Sequence, residues 1–296
     1  MMARHDHRRP VQLSAIVTAY NRIDQTIATI ERILGCSPPP VEVLVHVDGG
    51  RQDCANAIRA AFPNIQVVVS SDNIGPGGGR NKLIAAASQP IVASFDDDSF
   101  PLDGDYFQNI DHLFAEFSDA AVVCARVFER GQPVSPPDLQ LSWRSDFSGG
   151  GCAYRRDAFL STDGYVPLPL AYGMEEVDLA MRFASNGRMI LFAPRLRVFH
   201  DSDLSRHASS SITAASLANL ALLAFLRYPP ILWPVGLIQL FNRVVWLIRN
   251  GRLSGLGAGL VTIPGHCWAH RQYRRPLSIR AVRRYLQLRR HPIFLS

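Results

Sequence analysis

Ile91-Val92-Ala93-Ser94-Phe95-Asp96-Asp97-Asp98 joins a short apolar run to three consecutive carboxylates. The run has the length and composition of a buried parallel strand. Carboxylates this close repel one another unless something neutralises them. A solvated acidic turn is one reading. A hard divalent cation is the other, because Mg2+ and Mn2+ prefer oxygen ligands and keep positions open for phosphate. Alternate residues of an extended segment point the same way, so Asp96 and Asp98 can share one site while Asp97 points elsewhere.

Working outward, Leu13–Thr18, Val41–Val47 and Ile65–Val69 read as three further strands. Helices are predicted between them. The first is capped by Asp24, carries Ile27, Ile30, Ile33 and Leu34 at helical spacing, and stops at Cys36-Ser-Pro-Pro-Pro40. The second runs from Cys54 to Phe62 and breaks at Pro63; the third lies around Asn81 to Ala87, after a glycine-rich turn. Strands alternating with helices build an open, doubly wound, mostly parallel α/β sheet that binds ligands at the carboxyl ends of its strands. Three of these ends are polar: Thr18-Ala19-Tyr20-Asn21-Arg22, Asp48, and Asp96 to Asp98.

Other stretches hold reactive groups. Asn73-Ile-Gly75-Pro-Gly-Gly-Gly-Arg80-Asn81 matches neither the dinucleotide fingerprint nor a P-loop. It reads as a flexible loop or as a diphosphate contact through Arg80 at a helix start. Gly149-Gly-Gly151 precedes a predicted strand, Cys152 to Tyr154, and Gly131 to Pro137 is a predicted loop. Glu175, Glu176 and Asp178 crowd the first turn of a helix whose face is Val177, Met181 and Ala184. Carboxylates there suit the helix dipole, or deliver a general base. Ile190–Pro194 and Val198–His200 are short β-like pieces, and a lone histidine such as His200 is ordinarily just a hydrogen-bonded residue.

With 296 residues, 47% hydrophobic and 19% charged, the chain is neither disordered nor a multi-pass membrane protein. The basic start, Met1 to Pro10, has no apolar region behind it, which predicts a cytoplasmic protein without a secretory signal. Five scattered cysteines read as reduced, mostly buried thiols. No Asp, Glu or Lys follows Asp203, whereas thirteen arginines lie from Arg206 to Arg290. The last 93 residues therefore carry +13, which leaves −7 on the first 203 out of the net +6. Such a split predicts an anionic partner for residues 206–296, set against an enzyme body in residues 1–205. Ile212–Leu226 and Ile231–Ile248 are apolar, but Arg227, Pro229-Pro230, Pro234 and Arg243 interrupt them, so neither is a clean membrane span. Trp233 and Trp246, near Arg243, Arg249 and Arg252, suit a helix in the interface of an anionic inner leaflet. A helical subdomain packed on the body, or in an oligomer, is the alternative. Nucleic acid is disfavoured, since no recognised module accompanies the arginines.

Thr18-Ala-Tyr-Asn-Arg22, Val47-Asp48-Gly49, Asn73–Asn81, Phe95-Asp-Asp-Asp98, Tyr172-Gly-Met-Glu-Glu-Val-Asp-Leu179 and Val198-Phe-His200 occur in this order. Together they resemble the family 2 inverting glycosyltransferases of the GT-A fold over residues 11 to 205. The resemblance implies that Thr18, Ala19, Tyr20, Arg22, Asp48, Asn73, Gly75, Arg80, Asp96 and Asp97 line a nucleotide-sugar pocket. It implies that Asp98 is the direct metal ligand, with Asp96 and His200 completing a Mn2+ or Mg2+ site. The catalytic base falls on Glu176 or Glu175 where the family's element usually reads Glu-Asp; Glu176 is preferred, and Asp178 braces the helix. A UDP- or dTDP-sugar donor, a glycan or lipid-linked acceptor and a role in surface polysaccharide, glycolipid or glycoconjugate synthesis follow as expectations. A sugar nucleotidyltransferase would want a basic glycine-rich loop after the first strand, which Thr18–Arg22 is not. A non-catalytic nucleotide-binding membrane scaffold is the remaining alternative.

Overall fold

The structure, a computed structural model, describes residues 10–170, 172–202 and 209–295. The chain runs β1 (Val11–Ala19), α1 (Ile23–Leu34), β2 (Pro40–Val47), α2 (Gln52–Ala61), β3 (Gln66–Val69), α3 (Gly75–Ala86) and β4 (Ile91–Asp96). It continues through β5 (Ser99–Pro101), α4 (Tyr106–Glu116), β6 (Ala120–Glu129), β7 (Ser142–Arg144), β8 (Gly151–Arg155) and α5 (Arg156–Leu160). Then come α6 (Glu175–Ser185), β9 (Met189–His200), α7 (Ser210–Arg227), α8 (Trp233–Arg249), α9 (Leu256–Ala269), α10 (Ile279–Arg290) and β10 (Ile293–Phe294).

One sheet orders the strands β10-β7-β9-β6-β8-β4-β1-β2-β3, with β5 paired to β9. The predicted parallel unit is present: β4, β1, β2 and β3 run side by side in parallel. β8 then runs antiparallel between β4 and β6, and β6 pairs in parallel with β9. The two β-like pieces predicted near His200 are one strand. Its register against β6 slips between Cys124↔Phe192 and Arg126↔Arg197, the stretch that holds Pro194, which has no N–H to give to a ladder.

Side-chain alternation along β1 sorts the core into two layers. Leu13, Ala15, Val17 and Ala19 pack with α1, α2 and α4 on one face, through residues such as Ile30, Ile58 and Phe107. Ile16 faces the other layer, with Leu83 of α3 and Leu179 of α6. That second layer also takes Leu222, Leu223 and Leu226 of α7 and Val282 and Tyr285 of α10, all buried. The predicted boundary between residues 205 and 206 lies outside the described residues, as do residues 1–9. The helices beyond it share a core with the sheet, and β10 adds itself to the edge strand β7.

By length and composition alone, Ser210–Arg227 and Pro230–Arg249 both reach what a membrane span needs, despite their interruptions. Burial separates them. α7 buries Asn219 and Arg227 and packs Leu222, Leu223 and Leu226 into the second core layer, so it is a core helix. α8 leaves Leu237, Ile238 and Phe241 about two-thirds exposed (66%, 59% and 65%).

Two local expectations differ. Asp24 does not cap α1: the capping position is Arg22, without a side-chain cap, and Asp24 sits in the first turn, where the dipole favours a carboxylate. α3 begins at Gly75, not near Asn81, so the glycine-rich stretch is largely helix. Its start is satisfied from across the sheet, because the Asp48 carboxylate accepts from the N–H groups of Ile74 (3.0 Å) and Gly75 (2.9 Å). The glycines allow close approach. A Cβ on Gly77 would lie 2.3 Å from Glu175 Oε1, and one on Gly79 2.6 Å from His46 Nδ1.

Candidate active site

The parallel register places the site. Thr18 at the end of β1 stands opposite His46 of β2 on one side and Asp96 of β4 on the other. β1 is where the strand order reverses direction, and loops leaving such a point diverge and open a crevice. A cleft of about 420 Å³ lies there. Its walls come from Thr18, Ala19, Tyr20 and Arg22, from His46 and Asp48, from Asn73, Gly75 and Pro76, from Asp96, Asp97 and Asp98, and from Pro169, Leu170 and His200.

The three aspartates have distinct surroundings. Asp96 is the most open: Thr18 Oγ1 donates to its Oδ1 at 3.2 Å, and Arg80 Nη2 holds the same oxygen. Asp97 is buried and takes Arg22 Nη2 at 2.6 Å; burial pushes its carboxyl up to about 7 in spite of Arg22. Asp98 is buried between Arg22 Nη1 and His200 Nε2, the latter 3.1 Å from its Oδ1. Burial works against its charge, but His200 and Arg22 prevail and hold it below the usual carboxylate range. His200 is only partly buried; desolvation lowers its pKa, yet Asp98, Asp96 and Glu129 outweigh that and raise it to about 9.

Among the described residues no three His, Cys, Asp or Glu side chains stand preassembled around a cation. The donor set nevertheless fits one. Asp98 Oδ1 is a buried oxygen that receives no well-directed hydrogen bond, and an imidazole nitrogen stands beside it. On the far side of the ring, His200 Nδ1 is 3.4 Å from Glu129 Oε1, an arrangement that orients a ligating imidazole. Arg22 covers the remaining Asp98 oxygen, so a positive charge already stands where the carboxylates demand one.

The glutamate pair sits behind this cleft, not in its lining. Glu175 is buried; its Oε1 accepts from Gly77 N at 2.9 Å and its Oε2 is 3.7 Å from Arg80 Nη1. Burial, then the neighbouring Glu176, push Glu175 up to about 8. Glu176 is partly exposed and accepts from Gly149 N at 3.3 Å. Burial raises it as well, with Arg80 opposing. Gly149 and Gly150 connect this pair to the aspartates. A Cβ on Gly149 would lie 2.9 Å from Glu176 Oε1, and one on Gly150 2.3 Å from Asp96 Oδ2. Glycines keep the two carboxylate groups in one continuous surface.

Of the predicted residues, Arg80 holds a place other than the one expected, and Asp48 and Asp178 have partners the sequence did not name. Arg80 does not reach into the cleft as a diphosphate contact. It is buried at 2% exposure, clamped by Ser94, Asp96 and Glu175, because a desolvated guanidinium must be paired. Asp48 lines the cleft, but both its oxygens are occupied by backbone N–H groups. Asp178 braces its helix from inside the core, ion-paired to Arg182 (2.7 Å) and to Arg227 of α7. The sequence reading missed His46, Pro76, Pro169 and Leu170 as cleft walls. His46 becomes visible only through its register with Thr18, and Pro169-Leu170 lies in an irregular loop with no periodic signal.

Comparison with known proteins places this geometry. The family model for Glycosyl transferase family 2 matches residues 14–150. The succinoglycan biosynthesis protein ExoO of Rhizobium meliloti is 38% identical over 85 residues, 28% of this chain and 24% of the relative. ExoU of the same organism is 34% identical over 94 residues, 31% of this chain and 27% of the relative. The chain thus matches about a quarter of the length of each curated relative. Among solved structures, GalNAc-T7 with UDP, GalNAc and Mn2+ superposes with a TM-score of 0.58 at 13% identity, over 74% of this chain and 48% of the other. The mannosyltransferase PcManGT of Pyrobaculum calidifontis, with GDP-Man and Mn2+, gives 0.56 at 13% identity over 97% and 89%. TarS of S. aureus with UDP-GlcNAc gives 0.55 at 16% identity over 72% and 66%. At such identities the likeness is one of fold. Matched segment and sheet topology agree: residues 14–150 are similar to glycosyl transferase family 2, and the chain has the GT-A fold.

Proposed function

We propose that the protein transfers a sugar from a nucleotide-diphosphate sugar to an acceptor hydroxyl, with inversion and with a divalent cation, in the synthesis of a surface polysaccharide or glycolipid. The observation that carries this reading is the meeting of Asp96, Asp98 and His200 in one cleft at the ends of β1 and β4, with a partly exposed Glu176 behind it. The acidic cleft residues and Tyr20 would receive the nucleotide; the Tyr20 ring stands at the rim, packed over Gly49. Asp98, Asp96 and His200 would hold Mn2+ or Mg2+, which supplies charge neutralisation for the departing diphosphate. Glu176 would take the proton from the attacking hydroxyl, and its raised pKa makes it a stronger base than an ordinary glutamate. A UDP- or dTDP-sugar is the favoured donor. The solved neighbours named above hold UDP, GDP-Man or UDP-GlcNAc, and the two succinoglycan proteins support a polysaccharide product.

A panel of nucleotide sugars tests this reading. Manganese-dependent turnover of at least one is expected, and Asp98→Ala should lower it by a hundredfold or more, roughly the 2.7 kcal/mol at the lower end for loss of one transition-state charge contact. Donor binding without turnover, or turnover indifferent to Asp98→Ala, would sink the enzyme reading.

The exposed apolar side of α8, with Trp233, Leu237, Ile238 and Phe241, is proposed to lie in the cytoplasmic face of an anionic membrane. Arg243 and Arg252 stack over Trp246, and Arg271 over Trp268, which sets cationic heads beside interfacial rings. The full chain should co-float with vesicles containing anionic phospholipid at low salt. Leu237→Ser with Phe241→Ser should reduce the floating fraction at least tenfold, and undiminished flotation would refute the assignment.

A further inference from the structure

Pro169 and Leu170 wall the donor cleft, a few residues before the helix that starts with Glu175 and Glu176. Among its described residues this segment has no ladder partner, and Pro169 and Leu170 stand between two hollows. One is the donor cleft; the other, of about 430 Å³, is bounded by α7 and α9. On the cleft side the loop lies tight against the start of α3: a Cβ on Gly75 would be 2.0 Å from the Leu168 carbonyl oxygen.

On the other side it is held by a side chain from the C-terminal helices. Asn219 of α7, 1% exposed, donates from Nδ2 to the carbonyls of Leu170 (2.8 Å) and Tyr172 (3.2 Å). Two carbonyl acceptors fix the amide orientation, since only the nitrogen can donate to both. The amide oxygen then faces His266 Nε2 of α9 at 2.9 Å, so this nitrogen must carry the ring proton. His266 is in turn packed edge-on against His270, whose Nδ1 meets the His266 carbonyl at 2.9 Å. An interior asparagine with all three of these contacts made is a rigid clamp, because releasing any one strands a buried polar group.

We propose that Asn219 and His266 are positioning residues for the candidate active site: through the carbonyls of Leu170 and Tyr172 they hold the donor-cleft wall formed by Pro169 and Leu170, and the approach to Glu175 and Glu176, from the helical layer. The part of the proposal that concerns the donor rests on the reading of the cleft as a nucleotide-sugar site. The part that concerns the loop does not.

The test uses the full chain. Asn219→Asp keeps the shape and removes the donor; His266→Leu removes the ring N–H; His266→Gln restores an N–H at nearly the same place. Hydrogen exchange in peptides spanning 166–176 should be at least tenfold faster in Asn219→Asp and His266→Leu and within threefold of the parent in His266→Gln. Peptides from β1 and β4 should be unchanged in all three, which separates a loosened loop from a damaged fold. With UDP as the probe, Kd should rise at least fivefold in the first two variants and recover in His266→Gln. Exchange in 166–176 within threefold of the parent for both Asn219→Asp and His266→Leu overturns the proposal. Accelerated exchange in the two variants, together with a parent that binds no UDP, upholds the clamp and overturns the donor reading instead.

Discussion

Glu176→Gln is expected to lower kcat by roughly a hundred- to ten-thousand-fold while leaving the Kd for the donor nucleotide within about threefold, the range for removing a general base. Glutamine keeps the oxygen that accepts from Gly149 N, so the contact that seats the side chain survives and only its basicity is lost. The comparison that makes the result specific is Glu175→Gln. Glu175 is buried and committed to Gly77 N and Arg80, whereas Glu176 is partly exposed. Glu175→Gln should therefore cost less in kcat than Glu176→Gln, and the reverse order would move the base to Glu175.

The same pair sets a pH signature. Both glutamates are raised above the ordinary 4.5, Glu175 to about 8, chiefly by burial. A base must be ionised to act, so kcat should rise with pH along an acid limb displaced upward from 4.5, and fall as pH drops through it. Two glutamates this close titrate as a unit, so the limb belongs to the pair. A limb at the ordinary carboxylate position would show that neither glutamate acts from this buried setting.

Arg227→Met should destabilise the protein by about 3–5 kcal/mol, the cost of breaking a buried ion pair by removing one partner. Arg227 is 1% exposed and Asp178 is 1% exposed, and the guanidinium also donates to the Tyr273 carbonyl at 3.0 Å. The loss of Tm should be roughly 5–8 °C. Asp178→Leu added to Arg227→Met should deepen the loss, since Arg182, buried beside Asp178 at 2.7 Å, then loses its own carboxylate. A single Arg227→Met variant as stable as the parent would show that α7 does not depend on this pair. The sign with pH follows from Asp178, whose carboxyl is held below its ordinary range by Arg182 and Arg227 against burial. The pair's contribution is present above the unfolded carboxylate pKa of about 3.9 and disappears as pH falls through the lower folded value.

Much of the sheet was legible because its signal is local. Each of β1 to β4 is an apolar run at a turn-bounded spacing, and the polar ends after Thr18, Val47 and Phe95 mark where a parallel sheet binds ligands. α4 and β6 add a helix and a strand to that pattern, and the glycine-rich stretch after Asn73 became helix. Glycine's propensity argues for a loop there. The Asp48 carboxylate at the helix start, and the need to lie flush against Glu175 and His46, decided otherwise.

The triple aspartate and the Glu-Glu pair were determined by the sequence alone, as were the acidic body and the arginine-rich C-terminal part, because residue identity and spacing carry charge and periodicity directly. What each group does depended on the tertiary structure. It buried Arg80 under the cleft, paired Arg22 with Asp97 and Asp98, left Glu176 more open than Glu175, and set Asp178 against an arginine 49 residues further along the chain. The physical reason is desolvation. A charge withdrawn from water must find its partner wherever the fold brings one, and pairings between residues distant along the chain leave no local trace in the sequence.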